Sequence, residues 1–412
     1  MTNLIKIAAR NLSRYKRRTL LTLSLIVIGV LFVAGFMAVT GSFKNMMIGQ
    51  ITDSFVGHMQ IHRKGYLAAI ENLPLTVNLK PQAANKVQAA LKEIPEVEAF
   101  SPRIKFGGMF SNFTETTNIR LNGVDPDMEA KTVPLLLPRI MEGEKALKKG
   151  EILVPELIAK GMKVNVGDTV VVIATNKDGS VNGKQLKVGG IMESATGPGG
   201  RDGYVHIQDA VEILRMEEVE ISEIAVRLKD FGKLHEVFTK VESGFSGEMN
   251  KQGKPVFEVH TWEQLSPFYN IARMIDMMTF FIKILLVAVV LISIMNVMIM
   301  AVYERVREIG TIAAIGTLPR KILSMFLVEG LLLGAIGAAI GGLLSAVLVY
   351  GISAARFTFD FGMQKGIVLK ASVNPQDLIM IMGIVILVAV AASLQPALKA
   401  SRMDPIKALG YV

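Results

Sequence analysis

Four stretches of this chain are apolar for long enough to cross a bilayer, and they constrain its fold more than anything else in it. A hydrocarbon core about 30 Å thick takes roughly 20 residues of helix. The runs are 20–40, which opens LLTLSLIVIGVLFVAGFMAV, then 277–302, 322–352 and 378–395. A mean hydropathy of +0.42 with 20% charged residues fits such a chain and not a soluble globular one. The third run is long enough to tilt or project past the lipid. Pro396 stands just beyond the fourth. The first exceeds the roughly 7–15 apolar residues of a signal core, so it is read as a retained anchor, although AVTGS resembles a weak cleavage site.

Orientation follows the basic residues that flank the runs. Residues 1–19 hold Lys6, Arg10, Arg14, Lys16, Arg17 and Arg18 and no acid; 303–321 hold Arg305, Arg307, Arg320 and Lys321; 396–412 hold Lys399, Arg402 and Lys407. All three segments, and so both termini, are expected in the cytoplasm. The net charge of +9 is then a topology signal, and nucleic acid is not expected as a partner. Residues 41–276 form one large outside domain, and 353–377 a short outside loop. With no cysteine, disulfides, thiolate metal sites and a cysteine nucleophile are excluded.

The outside domain reads as mixed α/β. GHMQIH is a strand, PQAANKVQAALKEI a helix with Ala84, Val87, Leu91 and Ile94 on one face, and EVEAFSPRI a strand. The order recurs in EIAVRLK, FGKLHEVFTKVESGF and VFEVHTW. Between them, about 115–215 is strand-rich, with GDTVVVIAT and KQLKVGGIME separated by the turn NKDGSVNG. The expected architecture is a membrane protein: four transmembrane α-helices plus a large extracytoplasmic α+β domain, an α/β subdomain with an inserted β-rich subdomain.

Motifs of catalysis are missing. HEVFT (235–239) lacks the second histidine of a zinc protease, no G-x-S-x-G elbow occurs, and GSVNGK is one residue short of a phosphate loop and is followed by Gln185, not Ser or Thr. The Gly-rich TGPGGRDG (196–203) is read as a mobile surface loop.

The connection YERVREIGTIAAIGTLPRKI (303–322) packs Glu304, Arg305, Arg307 and Glu308 into a few residues. Span two is expected to continue as a helix, with Glu304–Arg307 and Arg305–Glu308 paired at i,i+3. Gly310 allows a bend, TIAAIG makes a short helix ended by Gly316, and Pro319 suits the first turn of span three. A solvated turn is one reading. A turn needs only about 2–8 residues, so a connection of this length with an apolar, small-residue ridge favours a docking element for a cytoplasmic partner.

In span three, Gly330, Gly334, Gly337 and Gly341 share one face, the spacing of close helix packing. Glu329, in the same span, either pairs with a basic residue or sits protonated. The outer ends of spans one and two carry Phe36, Met37, Phe43, Met277, Met278, Phe280 and Phe281, which are lipid-facing or packing side chains, or a soft lining for varied substrates.

The run YERVREIGTIAAIGTLPRKILSMFLVEGLLLGAIGAAIGG closely resembles the signature of FtsX/MacB-type ABC transporter permeases, as do RNLSRYKRRTLLTLSLIVIGV and the tail PALKASRMDPIKALGYV. GSFKNMMIGQITDSFVGHMQIHRKGY is most similar to the lipoprotein-releasing LolC/LolE branch. The resemblance implies a permease in the bacterial inner membrane, with its large domain periplasmic, paired with a second copy or paralogue above two ABC ATPase subunits. ATP and Mg would sit on that partner, a separate chain carrying the ATPase activity, with no cofactor on this one. Glu304, Arg305, Arg307, Glu308, Ile309, Gly310, Thr311, Ala313, Ala314, Ile315 and Gly316 would make the ATPase-coupling segment. The phenylalanines and methionines above would border the cavity for a lipoprotein or other amphiphile, passed to a periplasmic carrier or adaptor. The alternatives are MacB-like export of a peptide, antibiotic or lipid, and FtsX-like regulation of an envelope hydrolase.

Overall fold

The computed structural model describes residues 2–194, 198–249, 253, 255–361, 364–368, 371–372 and 374–409. It divides into a helical unit (Met1–Lys44, Arg273–Thr358, Val368–Val412) and a sheet unit (Asn45–Ala272, Phe359–Ile367). The chain opens with helices α1 (Thr2–Arg14) and α2 (Lys16–Ile51). It continues through β1 (Met59–Arg63), α3 (Pro81–Lys92), β2 (Val97–Ser111), β3 (Thr116–Val124), α4 (Pro126–Thr132), β4 (Ile140–Gly143), β5 (Glu151–Pro155) and α5 (Glu156–Met162). Next come β6 (Thr169–Thr175), β7 (Val181–Met192), β8 (Asp202–His206), α6 (Ile207–Ile213), β9 (Glu223–Leu228), α7 (Leu234–Ser246), β10 (Phe257–Thr261) and α8 (Trp262–Leu265). It ends with α9 (Tyr269–Glu304), α10 (Val306–Ala314), α11 (Pro319–Ala354), the paired strands β11 (Thr358–Phe361) and β12 (Gln364–Val368), α12 (Pro375–Ser401) and α13 (Pro405–Leu409).

Four helices, α2, α9, α11 and α12, are long and apolar enough to cross a membrane. Each outruns its apolar core. The fourth does not stop before Pro396: α12 carries that proline inside it, buried, and continues to Ser401. Proline removes one backbone bond, a loss that packed neighbouring helices tolerate. Lipid supplies no hydrophobic drive between helices, so close approach has to come from small residues. The glycine face of α11 splits between two partners. A Cβ on Gly330 or Gly334 would meet Ser393 Cβ at 2.6 Å or Ala389 Cβ at 2.4 Å, both on α12. On Gly337 or Gly341 it would meet Ile26 at 2.7 Å or Val30 at 2.8 Å, both on α2.

In the sheet unit the strand order β10-β1-β9-β2 is antiparallel throughout. With α3 after β1 and α7 after β9, this is the split βαβ arrangement of a ferredoxin-like sheet. Its helices bury the faces their spacing marks: Ala84, Val87 and Leu91 on α3, and Leu234, Val237, Val241 and Phe245 on α7. Burying the valine, leucine and phenylalanine side chains stabilises by about 1.5–3 kcal/mol each. Ile94 falls past the end of α3 and only packs at the rim of that core.

The insert is a closed ring. β2 pairs β3, β3 pairs β8, β8 pairs β5, β5 pairs β7, β7 pairs β6, and β6 pairs β2 again. Closure removes the exposed edges that an open insert would carry. The insert starts earlier than residue 115, because β2 belongs to both parts: Val97–Arg103 pair with β9, Gly108–Ser111 with β6. At the changeover sits Arg103, fully buried, its guanidinium 2.8 Å from Glu129, 2.9 Å from Glu223 and 2.6 Å from Phe55 O. The Gly-rich segment is not wholly loop. Pro198–Arg201 form a 3-10 turn, Asp202 and Gly203 open β8, and Thr196 and Gly197 lie outside the described residues. The short segment 353–377, expected as a loop, carries the two-stranded sheet of β11 and β12.

Candidate functional site

The charge cluster between the second and third long helices ties α9 and α10 to α1, α2 and α11 within the helical unit. The chain does not run through it as one helix that bends at Gly310. It breaks at Arg305 (φ −113, ψ 18), and α10 begins at the next residue. Gly310 lies mid-helix and buried. A Cβ there would meet Ala408 Cβ of α13 at 2.7 Å, so this glycine serves helix contact and not bending. Gly316 (φ +92) makes the turn after α10, and Pro319 opens α11 as its spacing suggests.

The i,i+3 pairs expected along the helix give way to longer-range partners. Arg305 reaches Glu329 of α11 at 3.3 Å, both buried, and lies over the Tyr15 ring at 4.9 Å. Of the two fates open to Glu329, pairing is the one seen. Glu304 takes Arg18 at 3.1 Å, and Glu308 takes Arg14 at 3.3 Å. Arg18 also donates to Val297 O. The physical reason is the break itself. Ending α9 at Glu304 turns neighbouring charges in different directions, and Glu308, Glu304 and Arg305 find partners on α1, α2 and α11 respectively. Sequence reasoning missed Arg14, Tyr15 and Arg18 as members of this cluster; the basic, acid-free N-terminal segment was the available signal.

The faces of α10 divide. Ile309 and Gly310 are buried, whereas Arg307, Glu308, Thr311 and Ala314 are exposed and Ala313 is half-buried. Just past the helix, Ile315 is 78% exposed. An aliphatic side chain standing free at the end of an anchored helix is available for a partner.

At the other end of the unit, Lys44 Nζ lies 2.5 Å from Asp276, tying α2 to α9. Met277, Met278, Phe280 and Phe281 are exposed on α9, while Phe36, Met37 and Phe43 are partly buried on α2. A hollow beside Met37, lined by Ala34, Ala38, Asn374, Asp377 and Ile381, measures about 20 Å³, room for one water.

Two family models match: MacB-like periplasmic core domain over residues 19–243 and FtsX-like permease C-terminal over 280–405. The chain belongs to the MacB-like periplasmic core domain family. Its FtsX-like part spans the charge cluster and the glycine face. The probable export ATP-binding/permease protein MacB of Pseudomonas entomophila is 24% identical over 98% of this chain and 58% of its own length. The lipoprotein-releasing system transmembrane protein LolC of Xylella fastidiosa is 24% identical over 71% of this chain and 72% of its own. Among solved structures, the periplasmic region of MacB from Actinobacillus actinomycetemcomitans matches with TM-score 0.35 and 14% identity, covering 53% of this chain and 92% of that one. The chain thus spans about three-fifths of the MacB relative it matches end to end. A periplasmic-type domain carried with four apolar helices fits a protein of the inner membrane.

Proposed function

We propose that this chain is the permease part of an ABC transporter, in which α10 couples an ATPase to movement of the periplasmic domain. The anchoring of α10 carries this reading. Arg305 and Glu308 tie it to α11 and α1, Gly310 seats it on α13, and Ile315 is left for a partner. A rigid element held at several points transmits a two-state change, where a loose loop would absorb it. No phosphate loop occurs in these 412 residues, so the ATPase, with its ATP and Mg, is assigned to a region outside them. Two ATPase domains and a second permease copy or paralogue complete the assembly. Both termini and α10 lie in the cytoplasm, the side the basic flanks mark.

The cargo is an amphiphile, foremost a lipoprotein, as the likeness to LolC suggests. Export in the manner of the MacB relatives is the second reading, favoured by a match over 98% of the chain. The test of coupling is Ile315→Asp in the assembled transporter. The substitution should abolish ATPase docking and transport-linked ATP hydrolysis, with membrane insertion unchanged. Full ATPase occupancy and full stimulation by cargo in that variant would rule the assignment out.

A further inference from the structure

Two adjacent glycines stand in the middle of β2, and only one of them is required by packing. A Cβ on Gly108 would come within 2.8 Å of Ile173 O, so the approach of β6 needs that glycine. A Cβ on Gly107 would meet nothing within 4 Å. A glycine inside a strand weakens it and often marks a place where something else approaches. Here the space beside it is a groove of about 690 Å³ on the outer face of the barrel, within the range of small-molecule sites.

The strand register orders the walls. Gly107 lies opposite Arg120 of β3, and Met109 lies between Asn118 of β3 and Ile173 of β6. One end of the groove therefore carries guanidinium groups, and the other is walled by Met109 and Ile173. Arg120 is held in place by its Nε bond to Asp202 at 2.7 Å, and Arg201 stands with it on the lining. Among the described lining residues Glu71 is the one carboxylate, and of the two guanidiniums Arg120 already has Asp202 as its partner. Leu73, also on the lining, sits at φ +47, a left-handed conformation that a bulky residue adopts only when its surroundings impose it. Met109 is 44% exposed on a strand whose neighbours Phe106 and Phe110 are fully buried.

We propose that this groove binds a single-chain amphiphile with an anionic head. The aliphatic part lies along Leu73, Met109 and Ile173, over the bare backbone of Gly107, and the acidic head meets Arg201 beside Arg120. A bare inorganic anion leaves the apolar walls unused, and a neutral hydrocarbon leaves Arg201 unused. The assignment stands on the groove alone, whatever the chain transports.

The test is photo-crosslinking of the full chain in lipid nanodiscs with a diazirine-bearing palmitic acid, adducts being located by mass spectrometry. The expected result is labelling of peptides containing Met109 and Ile173, reduced at least tenfold by Gly107→Phe and by Arg201→Glu, with labelling of the long helices unchanged. Gly107→Phe fills the open space. Arg201→Glu, on an exposed side chain, carries the test should the first variant misfold, and fluorescence of the sole tryptophan, buried Trp262, reports folding of the sheet unit in both. Absence of adducts on these strands, or labelling indifferent to Arg201→Glu in folded protein, overturns the site. Equal labelling by the matching fatty alcohol overturns the anionic head.

Discussion

At the residue scale, the pair Arg305–Glu329 sets the position of α10. A buried ion pair adds little net stability, because both charges are taken out of water, but removing one partner leaves an uncompensated charge and costs about 3–5 kcal/mol. Arg305→Ala should therefore destabilise the helical unit by that amount in reversible unfolding from mixed micelles. The double variant Arg305→Met/Glu329→Leu should regain most of the stability. It should not regain cargo-stimulated ATP hydrolysis, because the direction in which α10 leaves α9 is no longer specified. Recovery of both properties together would make the pair a packing feature only.

At the scale of elements, α11 works by having almost no side chains on one face. Gly334 and Gly337 bring its backbone against α12 and α2 respectively, so enlarging either must drive helices apart. Gly334→Leu places a branched side chain where Ala389 Cβ is 2.4 Å from the new Cβ. Overpacking of this kind costs about 1–3 kcal/mol, and more where backbone cannot give. Thermal unfolding in detergent should show the loss. Gly383→Leu on α12, where a Cβ meets nothing within 4 Å, should leave the midpoint unchanged and serves as the control.

At the scale of the whole molecule, acid should attack the sheet unit. His58 is buried, and its Nδ1 accepts the Leu228 N–H at 3.0 Å. Burial first, and then the nearby Arg227, push its pKa down to about 4 against the partial opposition of Asp53. A histidine held neutral by the fold contributes its stability in full above about pH 6.5, and that contribution is lost as pH falls from 6.5 to 4, by roughly 3 kcal/mol. Glu223 adds to the trend at lower pH. Burial opposes its ionisation, but Lys105, His62 and Arg103 outweigh burial and hold it well below the usual carboxylate range. Its contribution is present above the ordinary carboxylate pKa and is lost as pH falls below it. Resistance to denaturant, followed by Trp262 fluorescence, should fall steadily from pH 7 to pH 4, and His58→Gln should flatten the upper part of that curve. A variant with the same slope would assign the acid sensitivity elsewhere.

Much of this architecture was legible beforehand, because bilayer thickness and strand and helix periods act locally. Four apolar runs suffice for four long helices. The recurrence of strand, helix and strand around a β-rich stretch is enough to expect an insert. The turn NKDGSVNG narrows to the short link between β6 and β7, since nothing in local composition says where a strand stops pairing. Other features depend on what arrives from far along the chain. Arg305 pairs with Glu329 and not with Glu308 because the helix breaks beside it. Gly310 packs on Ala408, nearly a hundred residues away, where the sequence alone suggests a bend. The glycine face of α11 was visible as a face, but only its neighbours divide it between α12 and α2. Ring closure through β6 and β2, and the gap beside Gly107, were likewise out of reach. The sequence by itself determined the number of spans, their flanking charge and the order of elements, all set by short-range composition and periodicity. The tertiary structure decided which charge meets which, which glycine is crowded and which is open, because those depend on distances between residues that the chain order leaves free.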